Sequence, residues 1–576
     1  MGHERRAETS RTSAAKHRRV AAPASPSLFD QFARGWRGYA LVALIALASA
    51  LFGAGAMPPL DADEAQFALA TRRMVETGAR PADAVLVHDV QALAVRVMPG
   101  ARGDDIWAYR LPSALALALA AFACLWAGKA LLGRRGAFIG AGLFGAGLLA
   151  GFQAMCATPV ALTLAFTTVA FAALAELYAG EPKRTRVPAL IFWAALACAF
   201  LIDAALGPLV IVLALVGLII WEQNAGWLRP LLWWPALAGA ALIVALGFAL
   251  GGQVWTSIHI LNRHLQLPGF HTLLLPLLVF PATYALPAAA RLVIDAVRTP
   301  RTEALPFRFL MAWAGAVFFF AELWPTKLPT YALPAYPAIA LMCGAGVAAM
   351  AGRRWRSAHP VGLVLFGVIG LVLIVLLAAT ATFMPGDLGT DVRRAISAAL
   401  IGLLIIGGAI VGLLLWRRSA TRAAVLIAAA LAFAYSVREH ILPDAREFNV
   451  SGETVAELQR ARLMPREGHA LWVVGYPQAS FLFLMRGPTQ LAAAEEAGQR
   501  AQAGDTLVVE IRQLDALQAA LGGRELTFAS VDDPVRGVAL DDGKRVALSI
   551  GRVTALAGDQ PQNPASPRSR PRRARR

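Results

Sequence analysis

Pro360–Phe383 reads PVGLVLFGVIGLVLIVLLAATATF, an unbroken apolar run without one charged side chain. A helix needs about 20 such residues to cross a hydrocarbon core roughly 30 Å thick, and inside that layer only a helix or a closed barrel satisfies its own backbone polar groups. Runs of this kind recur at 38–58, 108–128, 136–154, 157–178, 187–206, 208–221, 231–251, 272–294, 309–324, 331–350, 396–416 and 423–438. With 360–383 they make thirteen candidate spans, so the expected class is a polytopic α-helical membrane protein. Composition points the same way. Of 576 residues 57% are hydrophobic and 16% charged, a balance that a soluble domain of this size could not place on its surface.

Charge then orients the chain, because short cytoplasmic loops collect Lys and Arg. If the N-terminus is cytoplasmic, seventeen such residues, from Lys129, Arg134 and Arg135 to Arg417, Arg418 and Arg422, fall in short inside loops, against Arg263, Lys327, Arg393 and Arg394 outside. An odd number of spans sends the C-terminal region outside as well. The net charge of +17 is accounted for by inside loops and two basic arms, and no nucleic-acid partner is read from it. Cys124, Cys156, Cys198 and Cys343 all sit in apolar segments, where cysteine behaves as a small core residue.

Four segments follow. Residues 1–37 form a basic cytoplasmic arm with no separate cleavable signal, the first span serving as its own insertion signal. Residues 38–438 form the membrane bundle, including a long outer first loop at 59–107, where EAQFALATRRMVETG reads as a helix lying on the membrane surface. At 440–555 hydropathy falls. ALWVVGY, DTLVVEI and KRVALSIGRV read as strands, VAELQRARL and LDALQAALGG as helices, giving a small outer α/β domain with a capping or supporting role. Residues 556–576 are a basic low-complexity tail.

Chemistry is expected where charge meets the membrane edge. MPPLDADEAQF (57–67) ends the first span at Pro58-Pro59 and places Asp61, Asp63 and Glu64 directly after it. Acids at that position are costly unless they meet water, a cation or a substrate. On the same side lies AELWPTKLPTYALPAYP (321–337), in which Lys327 stands beside Glu322, Thr326 and Tyr331 in a loop stiffened by four prolines. A lysine at the bilayer edge either snorkels to a lipid headgroup or binds an anionic phosphate. Arg263, in IHILNRHLQLPGFH, is a third candidate; its neighbouring histidines lack metal-ligand spacing, and Asp203 reads as a helix-end acid reaching water. Outer carboxylates and outer cations on a lipid-embedded scaffold suit chemistry on a membrane-bound phosphate ester, with a carboxylate as base toward an acceptor hydroxyl and cations steadying the departing phosphate.

These stretches resemble the glycosyltransferase family 39 branch of the membrane GT-C superfamily, which includes bacterial aminoarabinose-transferase-like and dolichyl-phosphate-mannose-protein mannosyltransferase-like enzymes. The likeness is carried by LDADEAQFALATRRMVETG (60–78), WAYRLPSAL (107–115), LPGFHTLLLPLLVFP (267–281), ELWPTKLPTYALPAYPAIAL (322–341) and GYPQASFLFLMRG (475–487). The resemblance implies a GT-C fold with about thirteen spans. It also implies inverting transfer of one sugar from a polyprenyl-phosphate donor to a lipid, glycan or protein acceptor, at the periplasmic face of a bacterial inner membrane. It assigns the catalytic carboxylate to Asp63 and Glu64, with Asp61 beside them. Lys327, Tyr331 and Glu322 match the loop near the lipid phosphate, and Arg72 and Arg110 match supporting positions. No cofactor is required by the resemblance, and a divalent cation between the acids and the donor phosphate stays open.

The family pattern lapses from Gly78 to Arg110, a stretch with no lysine, where the family has a carboxylate followed by Lys-Pro. Asp89 takes that carboxylate's place, followed by Val90, with Arg80, Arg96 or Arg263 left to hold a phosphate. Two alternatives accompany the leading reading: a catalytically weakened paralogue that binds polyprenyl phosphate, and a GT-C ligase or polymerase of lipid-linked glycans.

Overall fold

The structure is a computed structural model that describes residues 35–60, 63–81, 84–98, 105–179, 185–250, 253, 255–258, 265–298, 305–350, 357–382, 388–485, 489–539 and 543–555. Asp61, Arg263 and most of both basic arms lie outside these residues. The chain is a multi-pass membrane protein. Among the described residues seven helices are long and apolar enough to cross a bilayer: Ile106–Gly145, Pro159–Ala179, Leu305–Leu323, Pro329–Ala349, Ala358–Thr380, Val392–Leu415 and Ser419–Ile441.

The difference from thirteen sequence runs has physical sources. Gly35–Leu51, Arg186–Ile202 and Leu206–Glu222 are apolar but shorter. Two further runs are bent pairs, Gly226–Leu232 with Trp234–Ala249 at 57° and Phe270–Leu278 with Ala282–Arg298 at 107°. The runs at 108–128 and 136–154 share one element, Ile106–Gly145, which breaks at Gly133, whose φ of 72° favours glycine. By length and composition the count rises to nine if each bent pair is one span.

The bundle is built around Ile106–Gly145, which packs against Gly35–Leu51, Pro159–Ala179 and Tyr336–Ala349. Lipid offers no hydrophobic drive for helices to associate, so they must pack backbone against backbone, and small residues permit it. A side chain on Gly344 would collide with the backbone of Gly136 and Gly140, and one on Gly140 with the backbone of Ala340 and Leu341. The seam lies beyond the break at Gly133; on the Arg110 side of the break, Gly128 makes the matching close approach, to the Leu341 side chain.

Beyond the bundle, β1 (Leu471–Val474), β2 (Thr489–Ala492), β3 (Thr506–Glu510), β4 (Leu526–Val538) and β5 (Arg545–Ala555) form one sheet in the order β2-β1-β3-β5-β4. β1 runs parallel to β2 and β3, and β5 antiparallel to β3 and β4. Strand alternation sorts the side chains: Leu471, Val473 and Val508 join Val450, Leu458 and Phe481 on one face, while Trp472, Val474, Leu507 and Val509 join Ala494, Leu517 and Leu521 on the other. The three strands and two helices read from the sequence are present. β2 and β4 are additional: β2 is a four-residue edge strand, and β4 carries Pro534 at a register shift between Val531 and Val535, where an edge strand tolerates proline.

Gly344→Val tests the seam. Overpacking of a close helix contact costs about 1–3 kcal/mol, so the variant should unfold at a lower temperature in detergent, whereas Gly315→Val, where open space surrounds the Cβ position, should leave the midpoint within error of the parent protein.

Candidate active site

The two prolines after the first helix turn the chain into Asp63–Thr77, whose first turn holds Asp63 and Glu64, where the helix dipole favours negative charge. Neighbours on a helix point about 100° apart, since a turn takes 3.6 residues. The two acids therefore meet different surroundings: Asp63 is exposed and Glu64 is 2% exposed.

Glu64 is saturated. Its Oε1 accepts from Arg110 Nε at 2.8 Å and from the Ala157 amide at 2.8 Å, and its Oε2 accepts from Arg110 Nη2 at 2.8 Å and from the Leu60 amide at 2.9 Å. Arg110 spends its other N–H groups on carbonyl oxygens of the first-span exit: Ala54 at 2.8 Å, Met57 at 2.7 Å and Pro58 at 2.8 Å. All five donors of the planar fork are used, which lysine could not reproduce. The pair thus clamps the end of the first span, the start of the first-loop helix and the Ala157 peptide to one point.

A polar chain continues from the far side of that peptide. The Ala157 carbonyl accepts from Gln91 Nε2 at 3.1 Å, and Thr71 Oγ1 donates to Gln91 Oε1 at 2.6 Å. Because the Thr71 proton is committed there, His88 Nδ1, 2.7 Å from Thr71 Oγ1, is the donor in that contact. His88 stacks on Phe67 at 5.4 Å, and Phe67 meets Trp255 edge-on at 5.6 Å. Thr71, His88 and Gln91 were not singled out in the sequence. A signal was there: His88 and Gln91 are three residues apart, the spacing that shares one helix face, and they lie on a helix, Val85–Val97, in the stretch where the family pattern lapses.

Asp63–Thr77 was expected on the membrane surface; it buries Ala65, Phe67, Ala68, Thr71 and Met74 against protein instead. Arg72 reaches the C-terminal domain, giving Nη1 to the Phe483 carbonyl at 2.7 Å while its Nε pairs with Glu76 at 2.7 Å, and the Phe483 ring meets Tyr109 edge-on at 5.4 Å. Asp89 pairs with Arg80 at 3.2 Å. Beside it a cavity of about 220 Å3 is lined mainly by apolar side chains, among them Leu86, Phe200, Leu246 and Phe248.

The proline-rich loop is placed by its own contacts. Lys327 is 2% exposed, and its Nζ donates to the carbonyls of Ala321 at 3.1 Å, Glu322 at 2.6 Å and Trp324 at 2.5 Å, the free acceptors at the end of Leu305–Leu323. Burial pulls its pKa below the usual lysine value, and the Glu322 charge opposes that shift. Glu322 itself accepts from the amides of Gly269 at 2.7 Å and Thr272 at 2.8 Å, capping Phe270–Leu278. Tyr331 donates to the Ser257 carbonyl at 2.8 Å. Ser257 Oγ donates to Asp203, whose other oxygen accepts from the Ala205 and Leu206 amides at 3.2 Å, so Asp203 is a buried helix cap rather than an acid reaching water. Among the described residues no group of three or more His, Cys, Asp or Glu side chains comes together as a metal site.

No protein-family model and no curated protein matches the chain. Solved structures do, among them two of one protein. ArnT from Cupriavidus metallidurans in the apo state superposes with a TM-score of 0.66 at 18% identity, covering 91% of this chain and 98% of ArnT. The same protein bound to undecaprenyl phosphate gives the same values. The chain therefore shares the ArnT fold over most of both chains.

Removing one partner of a buried pair strands the other charge, at a cost of about 3–5 kcal/mol. Arg110→Met should therefore destabilise the detergent-solubilised protein strongly, and adding Glu64→Gln should restore part of the loss in thermal unfolding. Losses that merely add would refute the coupling.

Proposed function

We propose that the protein is a polyprenyl-phosphate-dependent glycosyltransferase acting at the periplasmic face of a bacterial inner membrane, moving a single sugar to a lipid, glycan or protein acceptor with inversion. The observation that carries this reading is the division of labour between two adjacent acids in an ArnT-like fold: Glu64 is consumed by Arg110, and Asp63 is left exposed at the helix start. Asp63 is the base. The acceptor hydroxyl loses its proton to the Asp63 carboxylate as its oxygen attacks the anomeric carbon. The carbon–oxygen bond to phosphate breaks, and polyprenyl phosphate leaves with the electron pair.

The Glu64–Arg110 pair positions Asp63 and does not take the proton. The apolar cavity beside Asp89 receives part of the isoprenoid chain, with Arg80 at its edge and Arg263 as a further cation for the phosphate. ArnT binding to undecaprenyl phosphate supports this ligand class. Lys327, Glu322 and Tyr331 hold the neighbouring loop in shape, since their polar atoms are engaged by protein groups.

That engagement favours one second reading, a paralogue that binds polyprenyl phosphate without turnover, because the outer lysine has its donors filled and the first loop offers no other.

Mass spectrometry of envelope glycolipids and glycoproteins, with and without the gene, should reveal a product one sugar heavier. Asp63→Asn should reduce its formation by about 10²–10⁴-fold, the usual worth of a general base, with the fold intact by thermal unfolding. Unchanged product would overturn the assignment of Asp63. Binding of a polyprenyl-phosphate sugar by the parent protein with no product would select the second reading, and a product several sugars heavier would select a polymerase.

A further inference from the structure

A groove of about 340 Å3 runs along the bundle between Gly35–Leu51, the arm of Ile106–Gly145 beyond the break at Gly133, and Ser419–Tyr435. Its wall is wholly apolar: Leu41 and Ile45 come from the first of these helices, Phe138 and Ile139 from the second, Ile427 and Leu431 from the third. Ala424 and Ala428 also line it and are exposed, so no described side chain covers that face. Small residues on a membrane helix ordinarily let a neighbouring helix approach. Here they face an open groove.

The three helices run side by side in one direction. Gly145 packs on Ala46, Gly142 on Ile427, and the Phe52 ring meets Tyr435 edge-on at 5.3 Å, each contact falling beyond or level with the groove-lining residues of both helices. Every helix therefore brings its basic end to the same mouth: Arg37 on the first, Arg134 and Arg135 on the second, Arg417 and Arg418 before the third. Trp36 and Trp416, 75% and 49% exposed, stand at that mouth too, and tryptophan at a helix end marks the headgroup level of a bilayer.

Dimensions select the occupant. From Ala420 to Leu431 the groove follows its helix for about 17 Å at 1.5 Å per residue. That is about half of a hydrocarbon core roughly 30 Å thick, the depth of one leaflet. Spread over that length, the volume of about 340 Å3 gives a cross-section of about 20 Å2, against about 80 Å2 for a helix about 10 Å across. A second helix does not fit; a single extended hydrocarbon chain does. Clustered cations level with the headgroups then favour an anionic lipid over a neutral one.

We propose that this groove binds one acyl chain of an anionic phospholipid from the leaflet on the arginine side, with its headgroup at Arg417 and Arg418. The site does not depend on the sugar-transfer reading, since none of its residues belongs to the first loop or to the cavity beside Asp89.

The test uses the full chain, stripped of lipid in detergent and titrated with dioleoyl phosphatidylglycerol or dioleoyl phosphatidylcholine, bound lipid being counted by native mass spectrometry. The parent should hold one phosphatidylglycerol per chain at concentrations where phosphatidylcholine is not retained. A424F/A428F fills the groove from exposed positions and should weaken retention at least about ten-fold, the order of an overpacked contact. Should that variant unfold, A424C alkylated with N-phenylmaleimide after purification imposes similar bulk on the folded chain, with the alkylated parent as control. R417Q/R418Q should keep the groove and lower the preference for phosphatidylglycerol about 30-fold, the combined worth of two arginines near a lipid surface. R393Q/R394Q, which alters two exposed arginines at the start of another helix, should bind like the parent. Retention by the filled groove equal to the parent's, no preference between the two lipids, or an unchanged preference in R417Q/R418Q overturns the proposal. A disulfide between A424C chains in membranes would assign the groove to a second copy and overturn it as well.

Discussion

Arg110 reaches the membrane edge from the most central helix of the bundle and finds three carbonyl oxygens and one carboxylate, and the architecture of the outer face follows from that meeting. A guanidinium and a carboxylate taken out of water are unfavourable unless every donor and acceptor is matched. Here they are matched, and the groups that match them are the exit of the first span, the entrance of the first-loop helix and the peptide that precedes Pro159–Ala179. The small-residue seam with Tyr336–Ala349 lies beyond the break at Gly133 and holds the neighbouring arm of the same element.

The C-terminal domain is tied to this point as well. Ala68, Val95, Tyr109, Ala157 and Phe483 pack as one cluster, and Arg72 binds the Phe483 backbone. This contact joins the C-terminal domain to the helices Asp63–Thr77 and Ile106–Gly145 through Phe483.

Much of this was legible in the sequence, and the limits were specific. Uncharged runs such as Pro360–Phe383 announce a membrane helix by length alone, and β1, β3 and β5 declare themselves through apolar alternation. Lengths misled where helices bend or fuse: no hydropathy window separates Phe270–Leu278 from Ala282–Arg298, and Gly133 breaks a helix without interrupting its apolar character. At the site, the motif located the acids, but three consecutive letters, Asp63, Glu64 and Ala65, conceal that one acid is solvated and the next is locked. Lys327 illustrates the converse. Its residue type and location suggest a phosphate ligand, yet the nearest acceptors are the unpaired carbonyls of its own preceding helix, a partner that no pattern of side chains discloses. The Thr71–His88–Gln91 chain joins two helices through a third segment, and such joins leave no local trace.

The adjacency of Asp63 and Glu64 also sets how the first loop can change. With the helix pinned at Glu64, angular position around its axis, rather than distance along the chain, decides which residue is reagent and which is fastener. Substitutions at Leu60 or Gln66 leave that phase intact, whereas losing or gaining one residue between Pro59 and Asp63 forces a choice between keeping the clamp and keeping the following apolar face. The three positions between Pro59 and Asp63 therefore form a stretch in which letters can drift but length cannot.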